Sequence, residues 1–341
     1  MTDDSAPVFA GFWRRFFAFF IDGLILGLPG ILLGSLLFDL LSGLQGPTRL
    51  IGLGVGVLYF GLLSSSVGGS ATLGMRMLGM RVVTTGGRPL DLVRSLWRAF
   101  VLQLPISLNG LNLQVDDTRL AIAYGLLAIT CVFGVTLAQI ILLIFNRPSR
   151  RLVHDLLSGS VVVLTGVTSV PKTKSWAPAV AFGVILLAGA GAGFLSFSGP
   201  GIWSAWLPRA TVENLANMTD TQTAVMALPE VIEVGVQDAT NTWADSDGSR
   251  TTRTLVITAR LKTWPKDEQA EVARIAQAAL KAHPLEPGQG MRVVLSQGYD
   301  IGIARGSRSS SHPYPAEPAA EPAPPAEPAP AAAPAAPATP A

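Results

Sequence analysis

Charge is scarce in this chain. Asp, Glu, Lys and Arg make up 14% of its 341 residues, against about 25% in an ordinary soluble domain. The deficit falls on the first 200 positions, which excludes a conventional water-soluble domain there. Cysteine is nearly absent: Cys131 stands alone, so no intramolecular disulfide can form. It sits inside an apolar run, where a thiol packs as a small apolar group. The redox compartment of the C-terminal part stays open on this count. The net charge of +2 is too small to imply nucleic acid. No metal-ligand spacing and no nucleophile–base constellation occurs, so the expectation is a protein that is not an enzyme and carries no cofactor and no metal. The run Gly52-x-Gly54-x-Gly56 lacks the strand–turn–helix setting of a nucleotide fingerprint. Its glycines, like Gly189 and Gly193, read as places where helices approach closely.

Long apolar stretches fill the space that charge leaves. Five are candidates for membrane spans: 16–41, 49–66, 98–113, 120–145 and 177–198. A crossing needs roughly 20 residues, which makes 98–113 the marginal one. The opening is read as an uncleaved first span rather than a signal peptide, since Asp3 and Asp4 precede the arginines and no small-residue cleavage site follows. Arg14 and Arg15, five arginines between the second and third stretches, and five basic residues between the fourth and fifth lie on one side. Only Arg49 and Arg119 lie on the other. That bias places the N-terminus in the cytoplasm and everything after about 200 outside it. Trp13, Trp97 and Trp176 fall at the inner boundary, Trp203 and Trp206 at the outer one.

Within this apolar setting two carboxylates and one guanidinium stand out. Arg15 and Asp22 are seven residues apart, on one helical face and about 10 Å apart along the axis. Ala18 lies between them and leaves room for a partner. An intramembrane carboxylate is costly unless paired or neutralised. Two readings follow: an ion pair that fixes packing, or a site that loads a cation or proton. Asp155, after the fourth stretch, either pairs with Arg150 or Arg151 or joins Arg15 and Asp22 in a polar site. His154 and Asp155 are adjacent and diverge on a helix, which argues against a relay within that dipeptide. Gln103 and Gln139 are further polar groups at membrane depth. Arg76, Arg81, Arg88 and Arg94, interleaved with Met75, Met77, Leu78 and Met80, suggest a basic amphipathic helix on anionic headgroups.

Beyond 206 the pattern changes. Thr254–Leu261 alternates like a half-buried strand. Asp247-Gly248 marks a hairpin turn after an earlier strand near 231–237. Residues 266–282 carry apolar groups at helical spacing, opened by Pro265 and stopped by Pro284. With a helix at 208–226 and a strand at 291–295, the order is α-β-β-α-β, a small two-layer α/β domain. His283 reads as a helix-end residue that complements the dipole. From about 306 the composition becomes Ser-rich, then Pro/Ala/Glu, and reads as a disordered, semi-stiff tail.

Three segments carry a resemblance. Arg15-x-x-Ala18-x-x-Ile21-Asp22, the run Gly69–Val83 with Gly87-Arg88 and Arg98 behind it, and Arg150–Val163 with His154, Asp155 and Gly159 resemble, in order, the motifs of the RDD family of small polytopic bacterial membrane proteins. The match spans about residues 8–165. Met75 stands where that family usually carries lysine. The resemblance implies transport as the class of activity, sodium–proton exchange included.

The expected architecture is an all-α helical membrane bundle of about five transmembrane helices, a small extracytoplasmic α/β two-layer domain and a disordered tail. The boundaries are 1–170, 171–203 (linker and additional span), 204–305 and 306–341. The expected function is an inner-membrane protein that moves a small cation or other solute through Arg15, Asp22 and Asp155. The alternative is a non-catalytic membrane-anchored binding or assembly module acting through the outer domain. The expected partners are the lipid bilayer, small cations or protons, and an envelope protein, with no nucleic acid.

Overall fold

The computed structural model describes residues 8–44, 47–111, 118–147, 149–167, 169–204, 209–245 and 248–314. Asp3, Asp4, Trp206, the turn residue Asp247 and the tail from 315 onward lie outside the described residues, as does the side chain of Trp203.

The membrane region begins with α1 (Phe12–Leu36) and a short α2 (Phe38–Ser42), followed by α3 (Arg49–Ser64) and α4 (Leu73–Met77). Strand β1 (Met80–Thr84) leads to α5 (Leu92–Leu108). One continuous rod then runs through α6 (Thr118–Ile129), a π-helical stretch (Thr130–Val135) and α7 (Thr136–Phe145). The short α8 (Val153–Leu157), strand β2 (Ser160–Leu164) and α9 (Ala177–Ser204) complete it. Three helical segments are long and apolar enough to cross a bilayer: Phe12–Leu36, Ile122–Phe145 and Ala177–Phe194. The other two expected spans are shorter, α3 with 16 residues and α5 with 17. Helix α5 also begins earlier than its apolar run, because Asp91 caps it by accepting the Arg94 N–H at 3.0 Å.

Arg76–Arg94 does not form the surface helix that its amphipathic pattern suggests. Helix α4 covers only five residues and stops at Gly79, whose φ of +65° turns the chain. Met80, Val82 and Val83 then enter β1, which pairs antiparallel with the valine-rich β2, Met80 opposite Leu164 and Thr84 opposite Ser160. The N-terminal segment joins this pair: Phe9 bridges Val163 and the Ala10 N–H donates to the Val162 carbonyl at 3.1 Å. Buried Met80, Val82, Leu90 and Val162 pack against Ala10 and Ala18 beneath it. Long-range strand pairing overrides local periodicity here.

The second unit contains α10 (Arg209–Met226), β3 (Val231–Asp245), β4 (Gly248–Leu261), α11 (Glu268–Ala282), β5 (Gln289–Asp300) and β6 (Arg305–Tyr314). The sheet order is β3-β4-β5-β6. Strands β4 and β5 are parallel and joined through α11, and the other neighbours are antiparallel. Ile257, Leu261, Ile275 and Leu295 are among the side chains fully buried between sheet and helices. Strand β6 takes up residues whose Ser-rich composition suggests a disordered tail. Strand β5 offers a row of N–H and C=O groups that need partners, and the serine segment satisfies them as an edge strand.

The β5–β6 turn is built into the membrane region. Tyr299, Ile301 and Ala304 are buried together with Phe38, Leu41 and Ile303. A Cβ on Gly52 of α3 would lie 2.3 Å from the Ile301 carbonyl oxygen, and one on Gly30 of α1 would meet the Ala304 Cβ at 3.3 Å. Thr48 donates to the Asp300 carbonyl at 2.7 Å, Arg49 pairs with the Asp300 carboxylate at 3.5 Å, and Gln297 donates to Ser42 at 3.0 Å. Gly52 therefore receives a loop, whereas Gly56 and Gly61 receive Gln103 and Leu96 of α5. The glycine run on α3 serves two different contacts.

Candidate functional site: a buried Arg–Asp cluster beside a cleft

Helix α1 presents Arg15, Ala18 and Asp22 along one face. The space beside Ala18 is filled by α4: a Cβ on Gly74 would come within 2.2 Å of the Ala18 carbonyl oxygen. Only glycine lets the two backbones approach this closely.

Asp22 is 1% exposed. Its Oδ1 accepts from the Tyr59 hydroxyl at 2.7 Å and the Gly74 N–H at 2.8 Å, and its Oδ2 accepts from the Thr72 hydroxyl at 2.6 Å. All three donors are neutral. Among the described residues no basic side chain forms an ion pair with Asp22.

Asp155 is in the opposite situation. It is fully buried on α8, and its carboxylate accepts from Arg98 Nη2 at 2.8 Å and Nε at 2.9 Å and from Arg15 Nη1 at 3.2 Å. Ser160 and the Leu152 N–H complete the shell at 3.3 Å each. Arg151 donates to the Asp155 carbonyl rather than to the carboxylate. Burial opposes ionisation of Asp155, and the Arg98 and Arg15 guanidiniums outweigh it, holding the carboxyl well below the usual carboxylate range. Arg15 also donates to the Arg150 carbonyl at 2.6 Å and the Val162 carbonyl at 3.3 Å. Its buried Nε has no partner among the described residues.

The sequence-derived trio is thus divided. Arg15 and Asp155 meet, and Asp22 stands apart in its own neutral cage. Side chains on a helix lean toward its N-terminus, so the Arg15 guanidinium reaches back to the β2–α8 region rather than forward to Asp22. Arg98 completes the Asp155 clamp, although helical periodicity gives no reason to single it out. Tyr59, Thr72 and Gly74 lie 37 to 52 positions from Asp22, and no local spacing announces them.

His154 comes closer to Asp155 than helix geometry suggests, with Nε2 at 3.5 Å from Oδ1. Burial keeps the imidazole neutral and pulls its pKa down from 6.5 to about 3. Gln139 fixes the ring: its Oε1 accepts the Val153 N–H at 3.1 Å, so its Nε2 donates to His154 Nδ1 at 3.3 Å. That assignment leaves the ring proton on Nε2, facing Asp155.

These groups border a cleft of about 990 Å³ between α1 on one side and α5 and α7 on the other. Arg15, Asp22, Arg98, Gln139 and His154 all reach its wall, and most of the remaining surface is apolar. The π-helical turn ends at this wall, at Val135, and π-turns recur at functional sites.

Three helical segments long and apolar enough to cross a bilayer, together with a buried Arg–Asp cluster, are the marks of a membrane protein. The RDD family model matches residues 9–159, the stretch that carries α1 through α8. "Uncharacterized protein YxaI" of Bacillus subtilis (strain 168) is 31% identical, over 27% of this chain and 74% of that protein. The chain belongs to the RDD family. No solved structure matches it.

Proposed function

We infer that the protein is a bacterial inner-membrane transport protein in which Asp22 loads and releases a proton or small cation, while Arg15, Arg98 and Asp155 form a fixed clamp. One observation carries this reading: Asp22 is a buried carboxylate bordering a cleft, with three neutral donors and no ion pair among the described residues. Its negative charge is left for a mobile cation to neutralise. Asp155, between two guanidiniums, has no such vacancy.

Strand pairing supports a five-span arrangement. Residues 8–10, β1 and β2 are hydrogen-bonded together and so share one side of the membrane. An even number of crossings must then separate β1 from β2. If the α6–α7 rod crosses, α5 crosses with it, despite its length. By the same argument α1 and α3 form a pair, and α9 is the fifth crossing. The basic residues around β1 and β2 favour the cytoplasm for that side, and on this reading the α/β domain lies outside.

The test is ion flux in reconstituted vesicles. Asp22→Asn is expected to fold and insert but to lose proton- or sodium-driven flux, whereas unchanged flux overturns the reading. A second reading, a membrane-anchored binding or assembly module, draws on the firm seating of the β5–β6 turn between α1 and α3. It expects Asp22→Asn to leave cellular function intact and deletion of residues 206–341 to abolish it.

A further inference from the structure

The cleft has a polarity gradient that exchange at Asp22 does not require. Its mouth carries Arg14, Arg147 and Arg150. None of the three has a carboxylate partner among the described residues. Deeper in, Phe16 and Phe19 of α1 face Leu102, Ile106 and Leu143 of α5 and α7. From Phe12 to Asp22 the wall rises ten residues, about 15 Å, which is half of a hydrocarbon core about 30 Å thick. Several wall residues are substantially exposed in the chain alone, Phe16 at 46% and Ile106 at 43%.

We propose that this cleft is a binding site for one anionic phospholipid of the leaflet at the arginine-rich end. The phosphodiester lies among Arg14, Arg147 and Arg150, and an acyl chain runs along the Phe16–Ile106 wall. Two independent observations converge on that occupant. The depth equals one leaflet, which a soluble phosphate or a short amphiphile would not fill. The charge is complementary: three arginines with no carboxylate partner among the described residues border one end of the cleft, where each basic residue at headgroup level favours anionic lipid by about fivefold. The inference stands apart from ion exchange at Asp22, and its test reads lipid rather than flux.

The experiment uses the full chain in vesicles containing a minor fraction of brominated phosphatidylglycerol, against the same fraction of brominated phosphatidylcholine. The readout is quenching of Trp13, which borders the mouth, isolated as the difference from Trp13→Phe. The expected result is a preference of tenfold or more for phosphatidylglycerol at Trp13. The triple variant Arg14→Gln/Arg147→Gln/Arg150→Gln should lose it, and the matching triple lysine variant should keep most of it. Equal quenching by the two lipids overturns the proposal. So does a preference that survives the glutamine variant, or one that millimolar glycerol phosphate abolishes, since a free anion would then be the ligand. If the glutamine variant aggregates, the wild-type comparison of the two lipids still decides.

Discussion

Asp155 and Asp22 are the same chemical group in two different settings, and their substitutions should fail differently. Asparagine at 155 leaves Arg15 and Arg98 buried around a neutral amide. Losing one partner of a buried ion pair costs about 3–5 kcal/mol, so Asp155→Asn should lower the unfolding midpoint in detergent sharply. Asp22→Asn removes a charge with no opposite charge beside it and should change stability far less. Acid should act through the neighbouring pair. His154 titrates near 3 when folded and near 6.5 when unfolded, so the unfolded chain binds the extra proton between those values. Its contribution is whole above pH 6.5 and is lost as pH falls toward 3. Asp155, also depressed, adds a loss that begins as pH falls through the ordinary carboxylate range and continues below it. Thermal midpoints measured from pH 7.5 to 4 should fall for the wild type and fall less for His154→Gln over the same window.

The helices were largely legible in the sequence because their signal is local. The apolar runs marked α1, the α6–α7 rod and α9, and apolar spacing between Pro265 and Pro284 marked α11. What could not be read was set by distant partners. Strands β1 and β2 hide in a basic segment and a valine run 80 residues apart, and neither is amphipathic enough to identify the other. Strand β6 has almost no apolar alternation, because it is an edge that satisfies β5 rather than a core wall. Arg15, Asp22 and Asp155 could be picked out as improbable charges, but neither Arg98 nor the pairing could, since both depend on how α1, α5 and α8 pack. Gly52 shows the same limit: its run suggested helix–helix contact, and it accepts a loop. Gly52→Val should expel that loop. With Cys131→Ala as background, a short bis-maleimide linking Thr48→Cys to Asp300→Cys should give several-fold less product when Gly52→Val is added, while Gly54→Val, at a position facing open space, should leave the yield unchanged.

At the scale of the whole molecule, the α/β domain and the helices share a buried contact rather than a tether. Tyr299, Ile301 and Ala304 are covered by the membrane region, so a fragment limited to 209–314 would carry an uncovered apolar tip. Such a fragment should partition onto lipid vesicles in a flotation assay, and Ile301→Ser/Ile303→Ser should leave it in the aqueous phase. The contact also imposes an order on biosynthesis. Thr48 and Asp300 are 252 positions apart, and at roughly 5–20 residues per second the ribosome needs on the order of 10–50 s to deliver the second after the first. For that interval α1 and α3 exist without the loop that fills their glycine-lined groove. Until the β5–β6 hairpin emerges, the nascent chain holds its earliest helices without the strands that cover them.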